Sequence, residues 1–137
     1  MRLGRTFLAL AVAATVSCDP PRPHPVPAAR LPTVQEIAGR YEEQALRKSL
    51  RKTLDLRADG TFTLTTVEQE STPVTRTFNG TWVSRRIAVS GALELQVTPF
   101  VMPDGKTPVD SLSMPIETCG GVLCFTCSEA GVFVREP

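Results

Sequence analysis

The chain has 137 residues, 42% of them hydrophobic and 21% charged, with a formal net charge of +1. That length suits one compact domain, and the composition excludes a collagen-like chain, a disordered polyelectrolyte and a multi-pass membrane protein. Six of the 12 prolines lie within the first 32 residues, and the single histidine, His24, lies in the same stretch. Whatever folds beyond that stretch has no histidine for Ser-His or Cys-His catalysis.

Arg2 and Arg5 form a charged start, followed by an apolar run of 11 residues, Thr6–Val16. A helix of that length is too short for a hydrocarbon core of about 30 Å. Small residues then lead into Ser17-Cys18, the layout of a secretory signal. Ala14-Thr15-Val16-Ser17-Cys18 resembles the lipobox of bacterial lipoproteins, with Thr15 where Leu, Val or Ile is usual. The resemblance implies that residues 1–18 are a lipoprotein-type signal peptide, and that Cys18 becomes an acylated N-terminus. It also implies an extracytoplasmic, lipid-anchored place in the cell envelope, on its periplasmic face, with the membrane as a partner. Each buried acyl methylene contributes about 0.8 kcal/mol, so two or three chains hold firmly. Asp19 resembles the inner-membrane retention signal of enteric lipoproteins.

Asp19–Pro32 holds six prolines in 14 residues. Proline fixes φ and favours polyproline II, which predicts a semi-rigid tether with His24 in solvent. The expected domain, 33–137, keeps 11 basic and 13 acidic side chains, so it presents no overall basic surface for nucleic acid.

Thr33 and Glu36 fit a capping box that opens a short helix, Val34–Ala38, ended by Gly39. Apolar residues then recur with period two: Leu54 and Leu56, Phe62 and Leu64, Phe78 and Trp82, Ile87 and Val89. The pattern continues through Leu93, Leu95 and Val97, then Leu112, Met114 and Ile116, and ends on Val132 and Val134. Such alternation predicts strands with one buried face. Asp59-Gly60, Asn79-Gly80 and Asp104-Gly105 read as tight turns, with weaker signals at Ser90-Gly91 and Ser128–Gly131. Glu42–Lys52 reads as two strand ends around a charged hairpin. Together these predict an all-β fold: an antiparallel up-and-down meander of about seven or eight strands, closed into a barrel that removes its edges.

Gly39-x-Tyr41, Leu54-x-Leu56-x-x-Asp59-Gly60-Thr61-Phe62, Gly80-Thr81-Trp82 and Leu93-x-Leu95 resemble the small lipocalin-like domains of bacterial envelope lipoproteins. The resemblance covers about Gly39–Val97. It implies a barrel near the membrane, in some relatives binding apolar ligands and in others sensing envelope stress. On that basis Tyr41, Phe62, Phe78 and Trp82 are candidate liners of a cavity for a small apolar molecule. Copper-responsive relatives carry a C-x-x-C, which draws attention to Cys119, Cys124 and Cys127.

An odd number of cysteines in an oxidising compartment predicts one disulfide and one spare thiol. Cys119 precedes Gly120-Gly121, so its partner is Cys124 or Cys127. In one regular strand those two point to opposite faces. Thiolate metal or redox handling and three inert thiols are the alternatives. No metal or cofactor is expected, since the only domain methionines, Met102 and Met114, are poorly spaced for one. Arg47, Lys48, Arg51 and Lys52 read as a solvated hairpin tip, with anionic headgroups as their other candidate contact. No phosphate loop, G-x-S-x-G or H-E-x-x-H is present. The expectation is a non-enzymatic binding or sensing module. The alternative is a structural or interaction lipoprotein with a filled barrel, meeting an envelope protein partner through its outer surface.

Overall fold

The computed structural model describes residues 24–45, 49–101, 107–127 and 131–137. The expectations for the signal and Cys18, for Arg47 and Lys48, for Met102 and Asp104-Gly105, and for residues 128–130 fall outside them. Among the described residues eleven strands and one helical turn follow in chain order: β1 (Val26–Pro27), α1 (Val34–Ile37), β2 (Gly39–Ala45), β3 (Leu50–Leu56), β4 (Thr61–Glu68) and β5 (Val74–Arg86). Then come β6 (Leu93–Thr98), β7 (Phe100–Val101), β8 (Pro108–Val109), β9 (Leu112–Cys119), β10 (Val122–Cys127) and β11 (Gly131–Arg135).

Eight of them, β2-β3-β4-β5-β6-β9-β10-β11, form a closed antiparallel barrel in which β11 pairs back onto β2 and β9 onto β6. This is the all-β closed barrel that the alternation predicts, and it matches the lipocalin-like architecture that the resemblance implies. Inward positions alternate with outward ones along each strand, as at Lys52, Leu54 and Leu56 of β3 and Leu93, Leu95 and Val97 of β6. The small β7–β8 hairpin sends Phe100 inward, with its ring 6.2 Å from Phe62 and 6.5 Å from Phe133.

The Asp-Gly-Thr-Phe and Gly-Thr-Trp motifs lock each other. Asp59 Oδ1 accepts hydrogen bonds from the Thr61 backbone N–H and hydroxyl at 2.9 and 2.6 Å, and these bonds hold its carboxyl below the usual range. Gly60 takes the left-handed φ of +86° that this turn needs. Trp82 then donates its backbone N–H to Gly60 O at 2.8 Å and its Nε1–H to Arg57 O at 2.9 Å. The β9–β10 turn places Gly120 and Gly121 at φ +60° and +85°, the two positive values of a type I′ hairpin.

Two expected features are corrected. Asn79-Gly80 is no turn; it lies inside the 13-residue strand β5. There β5 changes partner, pairing with β4 as far as Thr81 and with β6 from Thr81 onward. Glycine serves close approach here, because a Cβ at Gly80 would stand 2.4 Å from Thr98 O and 2.7 Å from the Phe62 ring. Conversely, Ile87 and Val89 are not strand residues but lie in the β5–β6 turn, closed by Gly91 N–H to Ile87 O at 2.7 Å, with Val89 98% exposed. Two alternating residues are outweighed by the turn chemistry of Ser90-Gly91.

The proline-rich segment is also less free than a tether reaching Pro32 requires. Val26 and Pro27 pair with Thr118 and Glu117 of β9, and Ala28 N–H donates to Ile116 O at 3.2 Å. β1 thus occupies the edge of β9 beyond the start of β6. Pro27 is tolerated because the strand is an edge, and Leu31 packs on the core. His24 is exposed. In α1, Thr33 and Glu36 cap each other. Its last carbonyls are received by the barrel: Tyr41 Oη donates to Ile37 O at 2.6 Å, and Arg135 donates to Glu36 O and Ala38 O.

Candidate functional site

Strand register arranges the inward side chains of β2, β3, β4 and β5 in rows across the barrel wall. One row is apolar: Tyr41, Leu54, Leu64 and Phe78 face one another in succession. The next row, two residues along each strand, is polar: Glu43, Lys52, Thr66 and Arg76. Lys52 is the register partner of Thr66, and Thr66 of Arg76. Glu43 joins the row through an ion pair, with its Oε2 3.3 Å from Lys52 Nζ. One step further, Glu68 of β4 lies 3.2 Å from Arg76 Nη1 through its Oε2.

This row is held away from water. The Lys52 and Glu43 side chains are 3% and 2% exposed, and Thr66 is 1% exposed. Arg76, at 37%, is the row's open end, toward β5. Burial pushes the Glu43 carboxyl above the usual carboxylate range, and the Lys52 charge works against that rise. Among the described residues Thr66 Oγ1, a buried hydroxyl, has no hydrogen-bond partner, while the buried Glu43 Oε2 and Arg76 Nη1 are met by the ion pairs with Lys52 and Glu68. Leaving a buried hydroxyl unmet costs about 1–3 kcal/mol.

The expected cavity liners lie in the buried core or pack against it. Tyr41 and Phe62 expose none of their surface, and Trp82 exposes 6%. Tyr41 packs on Phe125 at 4.7 Å between ring centres, and burial pushes its phenol up to about 12. Phe62 lies across from Gly80, in the next row beyond the apolar one, while Trp82 is committed to the β3–β4 turn. Phe78 alone is half-buried, beside Arg76 on the same face of β5. Tyr41 and Phe78 share one row, Phe62 lies in the next and Trp82 at the β3–β4 turn, and Phe78 packs against the buried core from its partly exposed side.

The cysteines separate. Cys119 bonds to Cys124, with Cα atoms 5.8 Å apart. Cys124 faces away from Phe125 and Cys127 by strand alternation, which puts the bridge on the other face of β10 from the core. Cys127 is a free, buried thiol inside the barrel. Burial first, then the Glu43 charge, push that thiol up, against the pull of Lys52. It is therefore a poor nucleophile at neutral pH.

Lys52 departs most from its expected role. It belongs to no solvated tip but to the interior, while its neighbour Arg51 is the exposed one, paired with Glu42 at 3.0 Å. Sequence reasoning also passed over Glu43, Thr66, Glu68 and Arg76. Their signal was the continued period of two from Tyr41, Leu64 and Phe78. Chemically the row offers a carboxylate acceptor, a hydroxyl and a guanidinium donor beside the apolar row of Tyr41, Leu54, Leu64 and Phe78. That arrangement suits reversible recognition of a polar group. No family model, curated protein or solved structure matches this chain.

Proposed function

We propose that the protein is a membrane-anchored, extracytoplasmic binding module, not a catalyst, and that it takes its ligand at the polar row of the barrel. The observation that carries this reading is Thr66 Oγ1, a buried hydroxyl with no hydrogen-bond partner among the described residues. Native proteins leave few such groups unmet, and each asks for a reason. The anchor half of the reading rests on Arg2, Arg5, the run Thr6–Val16 and Cys18. Native mass spectrometry of the full-length chain, taken from its host envelope, tests both halves. The expected spectrum shows acyl chains that Cys18→Ser abolishes, and a small-molecule adduct that Thr66→Val abolishes. A bare polypeptide mass in all three proteins refutes the reading.

A second reading is favoured by the packing. Tyr41, Phe62, Leu64, Leu95, Met114 and Phe133 expose none of their surface, which supports a barrel filled by its own side chains and working through its exterior. It also weighs against a purely apolar ligand, which would need that volume. Crosslinking in the envelope that traps a protein partner, with no small-molecule adduct, favours this second reading.

A further inference from the structure

We infer that the β5–β6 hairpin is a second membrane contact, its aliphatic tip seated among the headgroups of an anionic bilayer beside the anchor; this rests on the anchor half of the reading above. The direction of β1 sets which end of the barrel faces the lipid. Val26 pairs with Thr118 and Pro27 with Glu117, antiparallel, so the chain comes in past Cys119 and the β9–β10 turn. Eight residue steps separate Cys18 from Val26, and at no more than about 3.6 Å each they cap the reach at roughly 29 Å. Acyl chains on Cys18 therefore keep this end of the barrel within that distance of the bilayer. The β5–β6 hairpin projects from the same end. β5 pairs with β4 only as far as Thr81 and then runs on to Arg86, opposite Leu93 of β6. Glu94 of β6 faces Pro115 of β9, and Ala28, just past β1, donates to the next carbonyl of β9, Ile116 O. The hairpin and the incoming chain thus meet along one edge of β9.

The tip has the chemistry of an interface. Val89 is 98% exposed between exposed Ala88 and Ser90, and Arg85 and Arg86 stand exposed at the neck. Arg85 shares Glu94 at 3.4 Å, whereas Arg86 donates to Gly91 O at 3.3 Å and has no carboxylate partner among the described residues. Guanidinium groups at that depth meet headgroup phosphates while the aliphatic tip enters between them. The surrounding surface points the same way. Among the described residues the large hydrophobics exposed to water are Val26, Val34, Val74, Val83, Val89 and Val122. All but Val74 lie at this end: on β1, in α1 before the Gly39 end of β2, on the extension of β5, at the hairpin tip and at the start of β10. They are separate valines with no exposed aromatic among them, which suits a fluid bilayer and not a protein interface built on packed aromatic anchors. One valine and two arginines bind a bilayer weakly alone; beside a lipid anchor the contact is intramolecular, and a weak contact is then well populated.

Tryptophan quenching tests this with the full-length protein purified from its host envelope and mixed with vesicles of phosphatidylcholine and phosphatidylglycerol, with or without brominated acyl chains. Val89→Trp reports the hairpin tip, and Thr72→Trp, in the exposed β4–β5 connection, reports the opposite end. Wild type supplies the signal of the buried Trp82, and both variants add the same indole, so its own affinity for interfaces cancels. Both replaced side chains are exposed, so urea midpoints equal to that of wild type are expected. The expected quenching above wild type is at least threefold greater in Val89→Trp than in Thr72→Trp. Adding Arg86→Glu to Val89→Trp, or using phosphatidylcholine alone, is expected to halve it at least. Protein that floats with the vesicles but is quenched equally in both variants overturns the hairpin contact and leaves the anchor standing. Protein that does not float overturns both. Quenching of Val89→Trp that ignores Arg86→Glu and the lipid charge overturns the anionic assignment. Shielding of Val89→Trp in intact envelopes but not in vesicles indicates a protein partner and overturns the lipid assignment.

Discussion

Replacing Lys52 with Met removes the counter-ion of a carboxylate that is 2% exposed. At 3.3 Å, and with an effective dielectric constant of about 20, the two charges attract by about 5 kcal/mol. Burying each ion costs several kcal/mol, so the intact pair contributes little net stability. The substitution deletes the attraction but leaves the burial of Glu43, which predicts a loss of about 3–5 kcal/mol. Against a typical domain stability of about 5–15 kcal/mol, that is a large fraction. The loss depends on pH with a definite sign. Burial already raises the Glu43 carboxyl, and Lys52 opposes the rise, so Lys52→Met raises it further. A raised carboxyl is protonated in both states below its unfolded pKa of about 4.3, and there it costs nothing. The penalty grows as pH rises from that value through the raised folded one. Urea unfolding of wild type, Lys52→Met and the double variant Glu43→Leu/Lys52→Met, compared at pH 4.5 and pH 8, measures it. The single variant is expected to lose most at pH 8, and the double variant is expected to return to within about 1 kcal/mol of wild type. A single variant within 1 kcal/mol of wild type at pH 8, or a double variant as weak as the single, would refute the argument.

Three further outcomes are open to direct measurement. The only tyrosine, Tyr41, has its phenol pushed up to about 12, so absorbance at alkaline pH is expected to show ionisation late in the folded protein. Stability then falls as pH rises from about 10 toward the folded value; a midpoint near 10 in the folded protein contradicts the burial of this ring. Gly80→Ala sets a methyl against Thr98 O and is expected to cost on the order of 2–3 kcal/mol in urea unfolding; a neutral result removes the close approach of β5 and β6. The Cys119–Cys124 bridge spans a sequence separation of five, for which loop-closure entropy gives about 2 kcal/mol. The double serine variant is expected to lose that amount, and thiol counting of the unfolded, unreduced domain is expected to find Cys127 alone.

How far the fold was legible follows from which residues hold it. The strands were readable because their apolar residues alternate, and the β3–β4 turn because Asp59 and Gly60 have one conformation that suits both. Asn79-Gly80 carries the same turn signal, yet there the glycine answers a neighbour, Thr98, that is distant in sequence. Local chemistry does not distinguish a glycine needed for φ from one needed for room. The polar row was hidden by a different effect. Period two places Lys52 with Leu54 and Glu43 with Tyr41, but a charge is ordinarily assigned to solvent because its burial is costly. Only the β2–β3 register shows that these two costs are met together. The partner of Cys119 waited on the same knowledge, since facing across β9 and β10 depends on where the hairpin turns.

The closure of the barrel has a kinetic consequence. The seam is made by β2 and β11, where Tyr41 is the register partner of Arg135, so the two strands that complete the wall come from opposite ends of the fold. Each other neighbouring pair around the barrel forms over a shorter stretch of chain. Until β11 arrives, β2 and β10 present unpaired edges, the surfaces through which incomplete sheets join other chains. Contacts of such sequence separation belong to domains that fold on the millisecond-to-second scale. A polypeptide built this way stays open until its final strand is free to pair, so the closed wall depends on that last strand being intact.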